Sequence, residues 1–245
     1  MSRRPAHQHP LPEALAHLRG ADATLAGVID RVGDFEISLE PDLWWSLVDA
    51  IVAQQLSVRA ATTIVGRVEA LPCMGERPSP EELLALPEET LRGCGLSRAK
   101  TLYIRDLATR WLDGSLAQET IPALSDEEVI ALLTRVKGIG RWTAEVVMMF
   151  SLDRPDVFPV DDLGLRAAAQ REYQLAERPG REELLALAEP WRPYRTTAAR
   201  YLWRSLSIPS CRQPGRGDGL RDRWKPVPGM VGALSGLHGS ACNCR

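Results

Sequence analysis

Val136-Lys137-Gly138-Ile139-Gly140-Arg141-Trp142-Thr143-Ala144 joins two apolar-periodic segments, and its reading decides the fold. Upstream, Ser125-Asp126-Glu127-Glu128 opens a helix over 125–135, with Ser125 as N-cap and Glu128 placed to complete a capping box. Downstream, Trp142, Thr143, Ala144, Val146, Val147 and Phe150 continue as a second helix from Arg141. Two glycines around one aliphatic residue make a tight turn that can adopt positive φ. Their small size lets another backbone approach. Amides of the turn and of the next helix's first turn then point outward together, a site for one phosphate that needs no side-chain charge. Gly138, Ile139, Gly140 and Thr143 are the candidate contacts, flanked by Lys137 and Arg141. Taken alone, the string also describes an ordinary helix–helix turn with Ile139 packed inward.

The rest of the chain is almost entirely helical in rhythm. Helices are expected over 11–32, with an interruption near Gly20, and over 41–56, opened by Pro41 and Asp42. Ser57 caps another running to about Ala70, and 72–80 is a loop. Ser79-Pro80-Glu81-Glu82 and Pro87-Glu88-Glu89 start short helices, with proline in the first turn and acids behind it. Ser97 caps a long amphipathic helix to Leu112. Only Phe35 to Leu39 looks strand-like, and it is too short and isolated for a sheet. The fold class is all-α. The expected organisation is a disordered basic N-terminus (1–12), a helical body of two subdomains (13–207, hairpin at 125–153) and a Pro/Gly-rich disordered tail (208–245).

The chain has 245 residues, 44% hydrophobic and 25% charged, which is ordinary for a globular protein. No apolar run is long enough to span a membrane, and no secretory signal opens the chain, so a cytoplasmic protein is expected. Cys73, Cys94, Cys211, Cys242 and Cys244 fit no disulfide framework, and no side-chain metal site is expected. Net charge is −2, but Arg212 to Arg245 holds six basic residues against Asp218 and Asp222, so the body before it carries about −6. A nucleic-acid partner must therefore be held by a local patch and by backbone amides rather than by a broad basic surface.

Beyond the second helix comes Asp156-Val157-Phe158-Pro159-Val160-Asp161-Asp162, then Leu163-Gly164-Leu165-Arg166 as a further helix. Proline stiffens the approach, and one of the two acids caps the helix. Two further strings complete the pattern: Ala50-Ile51-Val52-Ala53-Gln54-Gln55-Leu56-Ser57-Val58, and Trp191 through Tyr194 and Tyr201 to Trp203.

Taken in chain order, the four strings resemble the helix-hairpin-helix DNA glycosylase superfamily and, within it, the 3-methyladenine DNA glycosylase II family, from about Leu43 to Leu206. The resemblance implies two helical lobes flanking an active-site cleft. The N-terminal β-rich domain that some members carry is not expected here. It implies a catalytic aspartate: alignment on the family's Asp-Asp pair favours Asp162, while counting toward members with a single acid favours Asp161; Asp162 is the expected acid and Asp161 the alternative. It places Trp142 and Trp203 in the base pocket, with Trp45 and Tyr201, and also Trp44, as weaker candidates; Trp111 reads as core. Gln54, Gln55, Leu56 and Ser57 fall on the turn that contacts DNA where the base has left, with Gln55 at the wedge position.

The resemblance further implies a monomer acting on double-stranded damaged DNA, no required cofactor, and a monovalent cation on backbone carbonyls of the hairpin. The chemistry fits the residue types. Breaking an N-glycosidic bond develops positive charge on the sugar, which a carboxylate stabilises, and the base must first leave the stack. Alkylated purines such as 3-methyladenine and 7-methylguanine are cationic and suit an aromatic pocket. Strand-cleaving members carry a lysine nucleophile where this chain has Trp142, and an indole cannot form a Schiff base. The expected activity is therefore base release that leaves an abasic site. The alternatives are the same fold acting on an oxidised or deaminated base, and a non-catalytic hairpin module that only binds DNA.

Overall fold

The computed structural model describes residues 6–116 and 118–208. In chain order the elements are β1 (Ala6–Gln8), α1 (Pro12–Ala21), α2 (Ala23–Val32), β2 (Ile37–Leu39), α3 (Leu43–Ala53) and α4 (Val58–Glu69). Then come α5 (Pro80–Ala85), α6 (Glu88–Gly93), α7 (Arg98–Leu112), a 3-10 turn (Gln118–Ala123), α8 (Asp126–Leu133) and α9 (Arg141–Phe150). The chain continues through α10 (Leu163–Glu172), α11 (Arg181–Ala188), a second 3-10 turn (Glu189–Trp191) and α12 (Arg195–Ser205). Two expectations need correction. The N-terminal segment expected to be disordered contains β1 and the start of α1, and the strand at Ile37–Leu39 is not isolated, because it pairs with β1 in a two-stranded ribbon. The tail expected over 208–245 lies outside the described residues beyond Ile208, as do Cys211, Cys242 and Cys244.

Two compact units divide the described chain, one formed by Ser38–Leu152 and the other by His7–Ile37 with residues 153–208. In the first, α3 is the central element. Trp44, Trp45, Leu47, Val48, Ile51 and Val52 are all buried, so the helix is apolar on nearly every side, as a helix enclosed by others must be. Asp42 caps it by accepting from the Trp45 amide. The Trp44 indole N–H donates to the Pro78 carbonyl, and its ring meets Trp111 edge to face at 5.4 Å. Ser57, Ser79, Ser97 and Ser125 each accept from the backbone amide three residues on, and Ser79 and Ser125 complete capping boxes with Glu82 and Glu128. α8 and α9 form the hairpin.

In the second unit, the break between α1 and α2 falls at Asp22 rather than at Gly20. A glycine only permits a break, whereas an aspartate supplies the acceptor that starts the next helix: Asp22 Oδ1 accepts from the Leu25 amide at 3.0 Å. Its Oδ2 accepts from the Tyr173 hydroxyl at 2.6 Å and from the Trp191 indole at 3.0 Å, which ties α2 to α10 and to the turn before α12. Trp191, Tyr201 and Trp203 are the largest fully buried side chains of the described protein, and all three lie in this unit.

Candidate active site

The hairpin turn is built asymmetrically. Gly138 has φ +83°, a conformation costly for any side chain, and a Cβ there would lie 2.2 Å from the Tyr103 ring. Gly140 has φ −92°, which any residue can adopt, and a Cβ there would meet nothing within 4 Å. The first glycine is required by backbone and packing, and the second leaves an open face. Ile139 packs inward at 4% exposure and its amide donates to the Val136 carbonyl at 3.1 Å, so its expected DNA contact is corrected to a structural role in the turn. No side chain caps the first turn of α9, which is where outward amides serve an anion.

The flanking charges are already engaged. The Lys137 amide donates to Asp106 Oδ2 at 2.9 Å, while its ammonium stays largely exposed, 3.7 Å from Asp106 Oδ1. Burial works against the Asp106 carboxylate, but that amide and Arg110 outweigh it and hold the acid below its usual range. Arg141 pairs with Glu127 through two guanidinium nitrogens and with Glu145 through Nε at 3.0 Å. The Arg141 charge, expected to flank the phosphate site, is shared with two carboxylates of the hairpin.

The turn after α3 approaches the hairpin. Gln54 Nε2 donates to the Gly138 carbonyl at 2.7 Å. Gln55 is exposed and has φ +57°, a left-handed conformation that a glutamine holds only when its surroundings impose it. The Leu56 amide donates to Ala53 at 3.3 Å, and Ser57 accepts the Ala60 amide, so its hydroxyl serves as the cap of α4.

Between this turn, α3 and α9 lies a cleft of about 280 Å³, lined by Ser46, Ala50, Gln54, Gln55, Gly138, Trp142, Thr143, Val146, Val147 and Phe150. Trp142 is the one expected base-pocket aromatic that it contains. Trp45 is 3% exposed beneath the Arg77 guanidinium, and Trp44 is buried against Trp111. Tyr201 is 1% exposed, edge to face with Phe35, and donates to the Gly33 carbonyl. These aromatics are core, because burying a large ring against neighbours outweighs exposing it. The reading from sequence missed Ser46, Ala50, Val146, Val147 and Phe150. The available signal was on α3 and its C-cap, where the small or polar residues Ser46, Ala50 and Gln54 recur every four residues along one face.

The structure separates the two aspartates. Asp161 is exposed and pairs with Arg181. Asp162 is 8% exposed and caps α10, its Oδ1 accepting from the Leu165 amide at 2.7 Å. The same oxygen accepts from the Trp203 indole N–H at 2.8 Å. Trp203 is therefore corrected from a pocket wall to a buried partner of the acid, 1% exposed. The loop that carries Asp162 is fastened to the start of α12. Thr196 Oγ1 accepts from the Val157 amide and donates to the Arg154 carbonyl, and Arg195 pairs with Asp156 at 2.7 Å.

Residues 48–193 match the model of the HhH-GPD superfamily base excision DNA repair proteins. The chain is 35% identical over 210 residues to DNA-3-methyladenine glycosylase 1 of Schizosaccharomyces pombe, covering 84% of this chain and 92% of that one. A solved Schizosaccharomyces pombe 3-methyladenine DNA glycosylase in complex with abasic DNA superposes with a TM-score of 0.73 at 35% identity, over 80% of this chain and 97% of that one. The DNA-3-methyladenine glycosidase of Bacillus halodurans does so with a TM-score of 0.73 at 37% identity, over 82% and 92%. With its hairpin, its capped aspartate and these relatives, the chain belongs to the HhH-GPD superfamily of base excision DNA repair proteins.

Proposed function

We propose that this protein is a monofunctional DNA glycosylase that acts as a monomer on double-stranded damaged DNA, extrudes alkylated purines of the 3-methyladenine and 7-methylguanine type and hydrolyses their N-glycosidic bond. One observation carries the reading: Asp162 is buried and its carboxylate is oriented by two N–H donors on one oxygen, whereas its neighbour Asp161 is exposed on Arg181. An oriented acid suits a reaction that develops positive charge on a sugar. The amides of the turn and of the start of α9, apart from that of Ile139, which donates to Val136, hold phosphate together with the Lys137 ammonium, and Gln55, with Leu56 beside it, fills the gap left by the base. Trp142 stacks on the cationic purine, an attraction worth about 0.5–2 kcal/mol.

The bond electrons of the C1′–N bond pass to the purine, which leaves as a neutral base. Water oriented by Asp162 forms the new C1′–O bond and gives its proton to the carboxylate. Trp142 offers no amine, so no Schiff base forms and the strand stays intact. A monovalent cation on carbonyls of the hairpin belongs to the same proposal. The Gly138 carbonyl already accepts from Gln54, so its neighbours in the turn are the ones suited to a cation.

The test is base release from methylated duplex DNA, with products resolved by chromatography. Release of 3-methyladenine with no strand cleavage is the expected result. No release from methylated DNA, together with release of an oxidised or deaminated base, overturns the substrate class.

A further inference from the structure

Both turns of the first unit are fastened to one stripe of α7. The Lys100 ammonium donates 2.7 Å bonds to the Val52 and Gln54 carbonyls, at the C-terminal end of α3. Three residues on, the Tyr103 ring occupies the space that a Cβ at Gly138 would need. Three further on, Asp106 accepts the Lys137 amide. Gln54 closes the circuit by donating to Gly138. Residues at 100, 103 and 106 fall on adjoining turns of a helix, so one rigid rod sets the spacing between the two turns.

A lysine at a helix end is by itself an ordinary complement to the free carbonyls there. Here its two acceptors lie on the residues that lead directly into the turn where Gln55 holds φ +57° while exposed. A strained, solvent-facing residue needs its neighbours to impose the conformation. Lys100 supplies a charge-assisted clamp at its base, in a setting whose burial lowers the ammonium's pKa.

We infer that Lys100 is a positioning residue for base extrusion: it holds the Gln54-Gln55 turn at the spacing from the hairpin at which Gln55 enters the stack while the hairpin holds the backbone. This rests on the glycosylase reading. Lys100 acts through the turn and touches no reacting atom, so it governs the opening of the duplex and not the cleavage of the bond.

The experiment compares single-turnover base release from two methylated duplexes, one with the lesion paired and one with the lesion opposite an abasic gap, where extrusion is nearly free. Lys100→Gln is expected to slow release from the paired duplex at least tenfold and from the gapped duplex less than about twofold; Lys100→Arg, which keeps the charge and donors, recovers most of the loss. The ratio of the two rates does not depend on how much of a variant is folded, so a stability defect cannot imitate the result. Equal losses on both duplexes, or no loss on either, overturn the inference. If the wild-type protein releases base from neither duplex, it is the proposed activity that has failed. Lys100 is then judged by 2-aminopurine fluorescence beside an abasic-site analogue. Unstacking given by the wild type and lost in Lys100→Gln supports the inference; unstacking by both or by neither overturns it.

Discussion

The Trp203 indole N–H donates to Asp162 Oδ1 at 2.8 Å, and both residues are buried. The bond joins the start of α10 to α12 across forty-one residues of sequence and fixes the carboxylate in two directions, since the Leu165 amide meets the same oxygen. Trp203→Phe keeps most of the buried ring and removes only the donor. The expected cost is about 1–3 kcal/mol of stability for an acceptor that loses a buried partner, with kcat reduced roughly tenfold, about 1.4 kcal/mol of barrier, and KM little changed. Denaturant melts and steady-state kinetics check both halves; a change in KM alone would place Trp203 in substrate binding instead.

Asp162→Asn retains an acceptor for the helix cap, so its melting temperature should stay near that of the wild type. Base release should fall on the order of 100-fold or more while affinity for abasic duplex persists. Asp161→Asn removes only an exposed ion pair with Arg181, and activity should remain within about twofold. The reverse ranking in a base-release assay would make Asp161 the acid.

The two glycines of the hairpin should respond differently to alanine. Gly138→Ala meets both a positive φ and the Tyr103 ring, and should destabilise by roughly 1–3 kcal/mol or more. Gly140→Ala meets neither, so its melting temperature should be unchanged while abasic-DNA affinity falls as the methyl enters the open face. Equal melting temperatures for the two variants would refute the asymmetry.

Trp142→Ala should lower kcat/KM for a cationic methylated purine about tenfold and affect a neutral base less, as expected from the loss of a cation–π contact of ~0.5–2 kcal/mol. Borohydride should trap no covalent DNA adduct with the wild type, because the position holds an indole. A trapped adduct would locate an amine nucleophile elsewhere in the chain.

Stability should fall as pH rises, in a window set by Asp49. Burial, then Glu69 and Glu40, push its carboxyl from 3.8 up to about 7, against the pull of Arg77. The folded state therefore binds a proton that the unfolded state has released, so the stabilisation is full below about pH 4 and is lost progressively up to about pH 7. Asp49→Asn should flatten this slope and raise stability at pH 8 by a few kcal/mol at most, with little change at pH 4. Chemical denaturation at the two pH values measures the difference; a slope unchanged in Asp49→Asn would assign it to another group.

Much of the helical frame was legible in the sequence because its signals are local. Ser79, Ser97 and Ser125 accept from amides three residues away, so each cap is written in four consecutive residues. The hairpin was legible for the same reason, since a positive φ at Gly138 depends on the turn itself. The Asp-Asp pair was legible as a motif, but its two members are neighbours with the same chemistry. Only the folded chain gives Asp162 the buried Trp203 and Asp161 the exposed Arg181. The aromatic residues divide in the same way. Tryptophan content was plain, yet Trp142 lines a cleft while Trp45 and Trp203 are buried, because burial depends on which helices arrive from distant sequence. Lys100, whose acceptors lie more than forty residues upstream, had no local signature at all. The sequence by itself determined the caps, the turn and the order of the motifs, which are contacts within one turn of chain. The tertiary structure alone decided which aspartate is held, which tryptophan faces the cleft and what braces the Gln54-Gln55 turn, because those depend on side chains brought together across tens of residues.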